Sequence, residues 1–316
     1  MIDISIVIVS WNGKEYLRQC LESIPSKASR YTIESIVVDN ASTDGAPELV
    51  ETMFPQVRLI RNAENYGFAK ANNIGIRESK GRYICLVNSD VVILDDCIDR
   101  LHSYMETHAE IGMLGPQILD RNMKIQRSCM GSLTLRDAFY RSIALDTLFP
   151  RSKLFGGYLM TYWKHDTIRE VDVINGCFWM VRREALQQVG LLDERFFIYA
   201  EDKDWCKRYW NAGWKVVYYP EAQAIHYGGA SSSNAPIRFY IEMHRADMQY
   251  WGKYHNRLSQ LIYSLIIVLH SMFRIIGQTV LYIAKPSKRD QSLFKVKREF
   301  TIIKWQLSLS KQEKMS

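Results

Sequence analysis

The chain has 316 residues, 47% of them hydrophobic and 12% aromatic, ample for a folded core and at odds with global disorder. Its formal charge of +7 is unevenly placed: 11 of the 41 basic and 3 of the 34 acidic residues lie from Arg257 onward, leaving 30 basic against 31 acidic residues before it. The basic excess therefore belongs to the tail, and no nucleic-acid face is expected on the main domain.

The opening "MIDISIVIVSWNG" has no basic lead, and its apolar part is too short to cross a bilayer, so it reads as a strand and not a signal peptide. "ISIVIVS" (4–10) is a β-branched run suited to a strand covered on both faces. Asn12 is placed to cap the next helix, where Leu17, Cys20, Leu21 and Ile24 recur at helical spacing until Pro25. "IESIVVD" (33–39) is the second strand, "NASTDG" a turn, and Asp44 a cap for a helix from about Pro47. A third strand over 57–62, a helix over 68–79 and a fourth strand over 82–87 follow. Strands alternating with helices predict a mainly parallel central sheet flanked by helices, with ligands beyond the carboxyl ends of its strands.

Those ends release polar residues one after another: Ser10, Trp11 and Asn12; Asp39, Asn40 and Ser42; Asn62, Asn65 and Gly67; Asn88, Ser89 and Asp90. Four polar clusters on one edge point to a nucleotide crevice. From Gly115 to Arg169 the periodicity fades, and the segment fits a packed insertion or a flap over a second substrate. Order returns with a strand near 177–182, a helix from 183, a helix over 201–212 and a strand over 215–219. In that last helix Asp202, Trp205, Cys206 and Tyr209 share one face, whereas Glu201 and Asp204 fall off it. The six cysteines form no CxxC pair and several sit in apolar runs, which favours buried, reduced thiols and a cytosolic setting.

Taken in order, "SIVIVSWNG", "VVDNASTDG", "NYGFAKANNIGI", "VNSD", "NGCFWMVRREAL…VGLLDERFFIYAEDKDWCKR" and "HYGG" resemble the family 2 glycosyltransferases, which have the GT-A fold. The resemblance covers about residues 3–230 and is strongest to the rhamnosyltransferase-type members that build bacterial surface polysaccharides. It implies an α/β catalytic domain over 1–230, with nucleotide binding in about 1–115 and acceptor binding with the catalytic base in 116–230, followed by a helical appendage over 231–316. It also implies inverting transfer of a sugar from a dTDP or UDP donor to a saccharide or lipid-linked saccharide. dTDP-rhamnose is the preferred donor, and a UDP-hexose or UDP-N-acetylhexosamine is the alternative.

By the same resemblance, Asp39 accepts the N3–H of a uracil or thymine ring, and Ser10 and Ser89 line the donor site. Trp11 lies against the base or in the core, and Asn65, Gly67 and Lys70 lie near ribose and phosphates, Lys70 alternatively being a solvated helix lysine. Asn88-Ser89-Asp90 stands where relatives carry a D-x-D-like motif: Asp90 is matched to a Mg²⁺ or Mn²⁺ ligand and Asn88 to a neutral positioning group. His226 completes the metal shell or is a satisfied histidine. One carboxylate and one imidazole hold a free ion weakly, so the metal is expected to arrive with the nucleotide. Asp202 is matched to the catalytic base, with Glu201 as the other candidate. Asn175, Gly176, Trp179, Arg182 and Glu201 are candidate acceptor contacts, with a solvated Arg182–Arg183 pair the plainer reading.

In the tail, 258–283 is strongly apolar with a polar stripe at Ser264, Ser271, Arg274 and Gln278, and 291–310 sets an apolar stripe among lysines and arginines. Two helices on an anionic membrane surface at the cytoplasmic face are expected; packing on the domain or dimerising is the alternative. A nucleotidyltransferase would need a Gly-rich basic loop after the first strand, where this chain has "SWNGKEY". A non-catalytic scaffold of the same fold draws its chief support from Asn88, and Asp90, Asp202 and His226 argue against it.

Overall fold

The computed structural model describes residues 2–24, 30–228 and 236–312, with side chains through Ser308; Pro25 and Gly229 lie outside the described residues. In chain order the elements are β1 (Ile4–Ser10), α1 (Lys14–Glu22), β2 (Ile33–Asp39), α2 (Ala46–Met53), β3 (Arg58–Arg61), α3 (Gly67–Glu78), β4 (Tyr83–Asn88), β5 (Val91–Ile93), α4 (Cys97–Thr107), β6 (Ile111–Leu119), β7 (Ile125–Gln126) and β8 (Cys129–Met130). They continue with α5 (Leu135–Ser142), α6 (Leu145–Leu148), β9 (Arg169–Glu170), β10 (Val173–Ile174), β11 (Phe178–Arg182), α7 (Arg183–Val189), α8 (Glu201–Asn211), β12 (Lys215–His226), α9 (Pro236–Tyr254), α10 (Arg257–Ala284) and α11 (Arg289–Gln312). Contacts group Met1–Ser132 with Trp163–Pro236, and Leu133–Tyr162 with Ile237–Ser316. Residues 133–162 thus go with the C-terminal helices, whereas the sequence division kept all of 1–230 together.

The first unit is built on a mixed sheet of order β3-β2-β1-β4-β11-β6-β12-β5. β1 runs parallel to β2 and β4, and β2 to β3. The chain winds outward from β1 to β3 and then returns to the other side of β1 as β4. That reversal opens a crevice at the carboxyl ends of β1 and β4. Alternate β1 residues face opposite layers. Ile4, Ile6 and Ile8 join the core formed with α1, α2 and α4, which includes Leu17, Leu49 and Leu101. Each such aliphatic side chain contributes about 1.5–3 kcal/mol on burial. Val7 points the other way, toward α3, and a Cβ on Gly75 would fall 2.3 Å from Val7 Cγ1, so glycine lets that helix settle onto the sheet.

Beyond β4 the sheet turns mixed: β11 is antiparallel to β4 and β6, and β5 to β12. β12 is longer than the expected 215–219, because a bulge between Tyr219 and Gln223 absorbs Pro220 and lets pairing with β6 resume. The helix caps also differ from expectation. Asn12 does not cap α1; its Oδ1 accepts the Thr43 N–H at 2.8 Å. Asp44 reaches across instead, accepting from Lys14 N at 2.7 Å and Ala46 N at 3.1 Å, and so serves the first amides of both α1 and α2. The loops after β1 and β2 are thereby fastened to each other.

In the second unit α10 and α11 run antiparallel, joined through Ser264–Gln306 and Ser271–Glu299 hydrogen bonds. The polar stripe of α10 therefore turns inward.

Candidate active site

Register places three strand ends side by side: Ser10 is opposite Asp39, and Val9 opposite Asn88. Asp39 is buried; its Oδ2 accepts the Ser42 N–H at 2.9 Å, and its Oδ1 has no partner. Ser10 Oγ and Asn88 Oδ1 are likewise buried and unpartnered. Leaving a buried polar group unsatisfied costs about 1–3 kcal/mol, so three neighbouring cases mark a place for a ligand rich in donors and acceptors. Trp11, next in sequence, is half-buried and outside the core.

The asparagines around this edge serve as framework. Asn62 Nδ2 donates to Asn40 Oδ1 at 2.8 Å, and Asn40 Nδ2 donates to the Gly67 carbonyl at 3.1 Å. Asn65 Oδ1 accepts the Gly67 N–H at 2.9 Å. Gly67 has φ +80°, and a Cβ there would fall 2.3 Å from the Phe197 carbonyl oxygen. Its close approach is thus to the loop ahead of α8. Lys70 Nζ lies 4.0 Å from the centre of the Tyr66 ring.

At the end of β4 the chain turns through Ser89 and Asp90 into β5, and β5 pairs with the last residues of β12. That pairing sets His226 opposite Val91 and brings its Nε2 to 3.3 Å from Asp90 Oδ1. Asp90 also accepts the Tyr227 N–H on its carbonyl at 3.0 Å, which fixes the two strands at this point. Two donors on one ion, with bonds of about 2.1 Å at right angles, sit roughly 3 Å apart, so the pair fits a shared divalent cation. No group of three or more His, Cys, Asp or Glu residues placed to hold a metal occurs among the described residues. The pair can supply only part of a coordination shell, and the remainder suits phosphate oxygens and water.

The other wall begins at α8. Tyr199 and Ala200 precede it with φ of +71° and +61°, a left-handed pair in two non-glycine residues that costs about 1–3 kcal/mol each. The turn delivers Glu201 and Asp202 at the helix start, where backbone N–H groups favour negative charge. Both are buried, and so is Asp204. Glu201 and Asp204 thus depart from the helical-wheel reading that set them off the buried face. The Oε2 of Glu201 is unpartnered, and burial first, then the neighbouring Asp202 charge, push its carboxyl up to about 8. Asp202 Oδ1 accepts the Lys203 N–H at 2.7 Å. Asp204 has a structural partner: Arg208 Nε lies 2.8 Å from its Oδ2, and the same guanidinium donates to the carbonyls of Val189 and Leu191. Between the two walls lies Cys177, whose carbonyl accepts the Asn88 N–H. Burial pushes its thiol up to about 12, with further contributions from the charges of Asp90 and Asp202.

Three acceptor candidates take other roles. Arg182 sits opposite Tyr83, at the far end of β11 from the crevice, and donates to the carbonyls of Ile111, Met105 and His108 and to the Tyr83 hydroxyl. Its neighbour Arg183 donates to the Gly81 carbonyl and Ser79 Oγ. Trp179 is fully buried, donates to the Ile174 carbonyl at 2.9 Å and packs edge-on against Trp205. Gly176 is buried against that indole, where a Cβ would fall 3.1 Å from Trp179 Cη2. Asn175 is exposed beside it. The sequence reading passed over Asn73. Buried in α3, it exchanges hydrogen bonds of 2.9 and 3.0 Å with the carbonyl and amide of Leu192 and donates to Glu194 Oε1 at 3.0 Å. With Phe68 N donating to the Phe197 carbonyl at 2.6 Å, it ties the nucleotide-side helix to the loop that leads into Glu201 and Asp202.

Comparison with known proteins bears on the family and the fold. The family described as glycosyl transferase family 2 matches residues 5–190, more than half of the chain. An N-acetylglucosaminyl-diphospho-decaprenol L-rhamnosyltransferase of Mycobacterium tuberculosis is 28% identical over 262 residues, 79% of this chain and 84% of the relative. A dTDP-rhamnosyl transferase, RfbF, of Shigella flexneri is 26% identical over 257 residues, 77% of this chain and 78% of the relative. Among solved structures, the mannosyltransferase PcManGT from Pyrobaculum calidifontis in complex with GDP-Man and Mn²⁺ superposes with a TM-score of 0.56 at 15% identity, covering 96% of this chain and 86% of that one. The fold is that of the GT-A glycosyltransferases.

Proposed function

The chain belongs to glycosyl transferase family 2, and on that premise we propose that it is an inverting sugar transferase whose preferred donor is dTDP-rhamnose. The acceptor is the hydroxyl of a saccharide or lipid-linked saccharide at the cytoplasmic face of the membrane, in bacterial surface polysaccharide synthesis. One observation carries the reading: unpartnered Ser10 Oγ, Asp39 Oδ1 and Asn88 Oδ1 share a strand edge whose next residues lead to the Asp90–His226 pair. The activities for which the two rhamnosyltransferase relatives are named support rhamnose and a thymidine donor, and the first of those names supports a diphosphate-linked acceptor.

Asp39 would accept the N3–H of thymine or uracil on its free oxygen, and Ser10 and Asn88 would meet ribose or bound water. Asp90 and His226 would hold Mg²⁺ or Mn²⁺, which supplies positive charge beside the leaving diphosphate when bound. The acceptor oxygen bonds to the anomeric carbon from the face opposite the diphosphate. The carbon–oxygen bond to the diphosphate breaks with its electron pair on the departing nucleotide, and the configuration inverts. The hydroxyl proton passes to Asp202 as the new bond forms, because an aspartate is far too weak a base to remove it beforehand; such assistance is worth ~10²–10⁴-fold. Glu201, neutral below about pH 8, would present an O–H to a substrate hydroxyl in place of a second negative charge.

The test is a panel of dTDP- and UDP-sugars with saccharide acceptors, with and without Mn²⁺, read by acceptor-dependent release of nucleoside diphosphate. The expected outcome is turnover with dTDP-rhamnose. In Asp202→Asn, turnover falls by roughly a hundredfold or more while donor affinity is kept. Near-normal turnover in that variant removes Asp202 from the mechanism. Turnover confined to UDP-hexoses removes rhamnose.

A further inference from the structure

The second unit carries a helix turned inside out. On α10 the polar residues face α11: Ser264 Oγ donates to Gln306 Oε1 at 2.9 Å, Ser271 Oγ to Glu299 Oε2 at 3.2 Å, and Arg274 Nε lies 3.4 Å from Glu299 Oε1. Glu299 is fully buried and is also met by Arg298 at 2.8 Å and by the Tyr240 hydroxyl. The opposite face of α10 is apolar and open. Leu258, Leu265, Met272, Ile276, Val280 and Ile283 recur every three, four or seven residues and are each between 52% and 70% exposed. The helix has 28 residues, so this stripe runs most of a ~42 Å length. An open apolar face of that extent marks an interaction surface.

Charge selects the occupant. The turn joining α10 to α11 carries exposed Lys285, Lys288 and Arg289, and Lys297 and Lys304 are exposed on α11. A second copy packed parallel along the stripe would set this cationic region against its own kind, whereas an anionic lipid leaflet offers hydrocarbon for the stripe and phosphates for the lysines. Although α10 is long and apolar enough to cross a membrane by length and composition, its partner is not. Crossing would either draw Lys295, Lys297, Arg298, Glu299 and Lys304 into hydrocarbon or strip Glu299 of Arg274.

We propose that α10 lies in the plane of an anionic leaflet, its Leu258–Ile283 stripe among the acyl chains and the Lys285–Arg289 turn among the headgroups. This deepens the reading of a transferase working at a membrane and gives that reading a docking element. The full chain is to be floated with phosphatidylcholine vesicles and with vesicles that also contain phosphatidylglycerol, without donor or acceptor. Binding is expected to the anionic vesicles and to weaken by roughly tenfold in high salt. A Leu265→Asp/Ile276→Asp variant, altered only at exposed positions, should lose roughly a hundredfold in partition while its melting temperature and donor binding stay unchanged. Replacing Lys285, Lys288 and Arg289 by Gln should remove the preference for anionic lipid and leave weaker binding to both. Two results overturn the proposal: a wild-type chain that stays with the aqueous fraction, or a solution dimer that the Leu265/Ile276 substitutions dissociate. Because no turnover is involved, failure here leaves the enzymatic reading standing. A chain that binds vesicles but transfers no sugar would count against the enzymatic reading alone.

Discussion

At the scale of single residues, Glu201 and Asp202 show how one helix start gives adjacent acids different surroundings. Both are buried, yet Glu201 has an oxygen with no partner and a carboxyl held up to about 8, chiefly by burial and then by Asp202. A folded-state pKa raised above the ordinary carboxylate value of 4.5 means that the folded chain keeps a proton the unfolded chain gives up. Stability is therefore full below pH 4.5, declines as pH rises toward about 8, and is flat beyond. Glu201→Gln keeps the shape and removes the titration. In denaturant melts across this range the variant should lose the downward slope and exceed the wild type at pH 8.5, by at least about 1 kcal/mol. Parallel curves for the two proteins would show that Glu201 ionises normally. If the Glu201 hydroxyl meets a substrate, the variant should also retain more turnover above pH 8 than Glu201→Ala.

At the scale of elements, the site depends on α3 and the loop before α8 being held together, and Asn73 is the connection. Asn73→Ala leaves the Leu192 amide and carbonyl without their partners, at a cost of about 1–3 kcal/mol. Because that loop positions Asp202 whereas Asp39 stands on β2, kcat should fall several-fold with little change in donor KM. A rise in donor KM at constant kcat would place the effect on the nucleotide side instead. Asn73 sits in the quoted "NNIGI", but its role was not legible because its partners, the Leu192 backbone and the Glu194 side chain, lie 119 and 121 residues away. β1, β2 and α8 were legible to within a residue or two, since β-branched runs and a 3.6-residue stripe announce themselves. β6 was not: Gly112, Gly115 and Pro116 break the strand pattern in "IGMLGPQIL", and only tertiary pairing with β11 and β12 makes it a fully buried strand. The placement of Trp179 and Arg182, candidate acceptor contacts by resemblance, was not legible for the converse reason. They are close together in sequence, but an antiparallel β11 carries the arginine to the far end of the sheet and the indole into the core.

At the scale of the molecule, the two ligands of the proposed metal come from strands far apart in sequence, β5's lead-in and the last residue of β12, so the pair exists only in the folded unit. Asp90 and His226 are two donors where a hard divalent ion takes six or more, and in the proposed reading oxygens of the nucleotide diphosphate complete the shell. Metal and nucleotide should therefore stabilise the fold jointly. Any ligand that binds only the folded chain raises stability by about 2.7 kcal/mol at a hundredfold excess over its Kd. Mn²⁺ alone should leave the melting temperature unchanged, dTDP alone should raise it slightly, and the two together should raise it by more than the sum. His226→Ala should abolish that surplus while keeping the response to dTDP alone, because Asp39 and Ser10 are untouched. Asp39→Ala should do the reverse, weakening dTDP with or without metal. A tight calorimetric signal from Mn²⁺ in the absence of nucleotide would mean that further side chains complete the shell, and the division of labour between Asp90, His226 and the diphosphate would then be wrong.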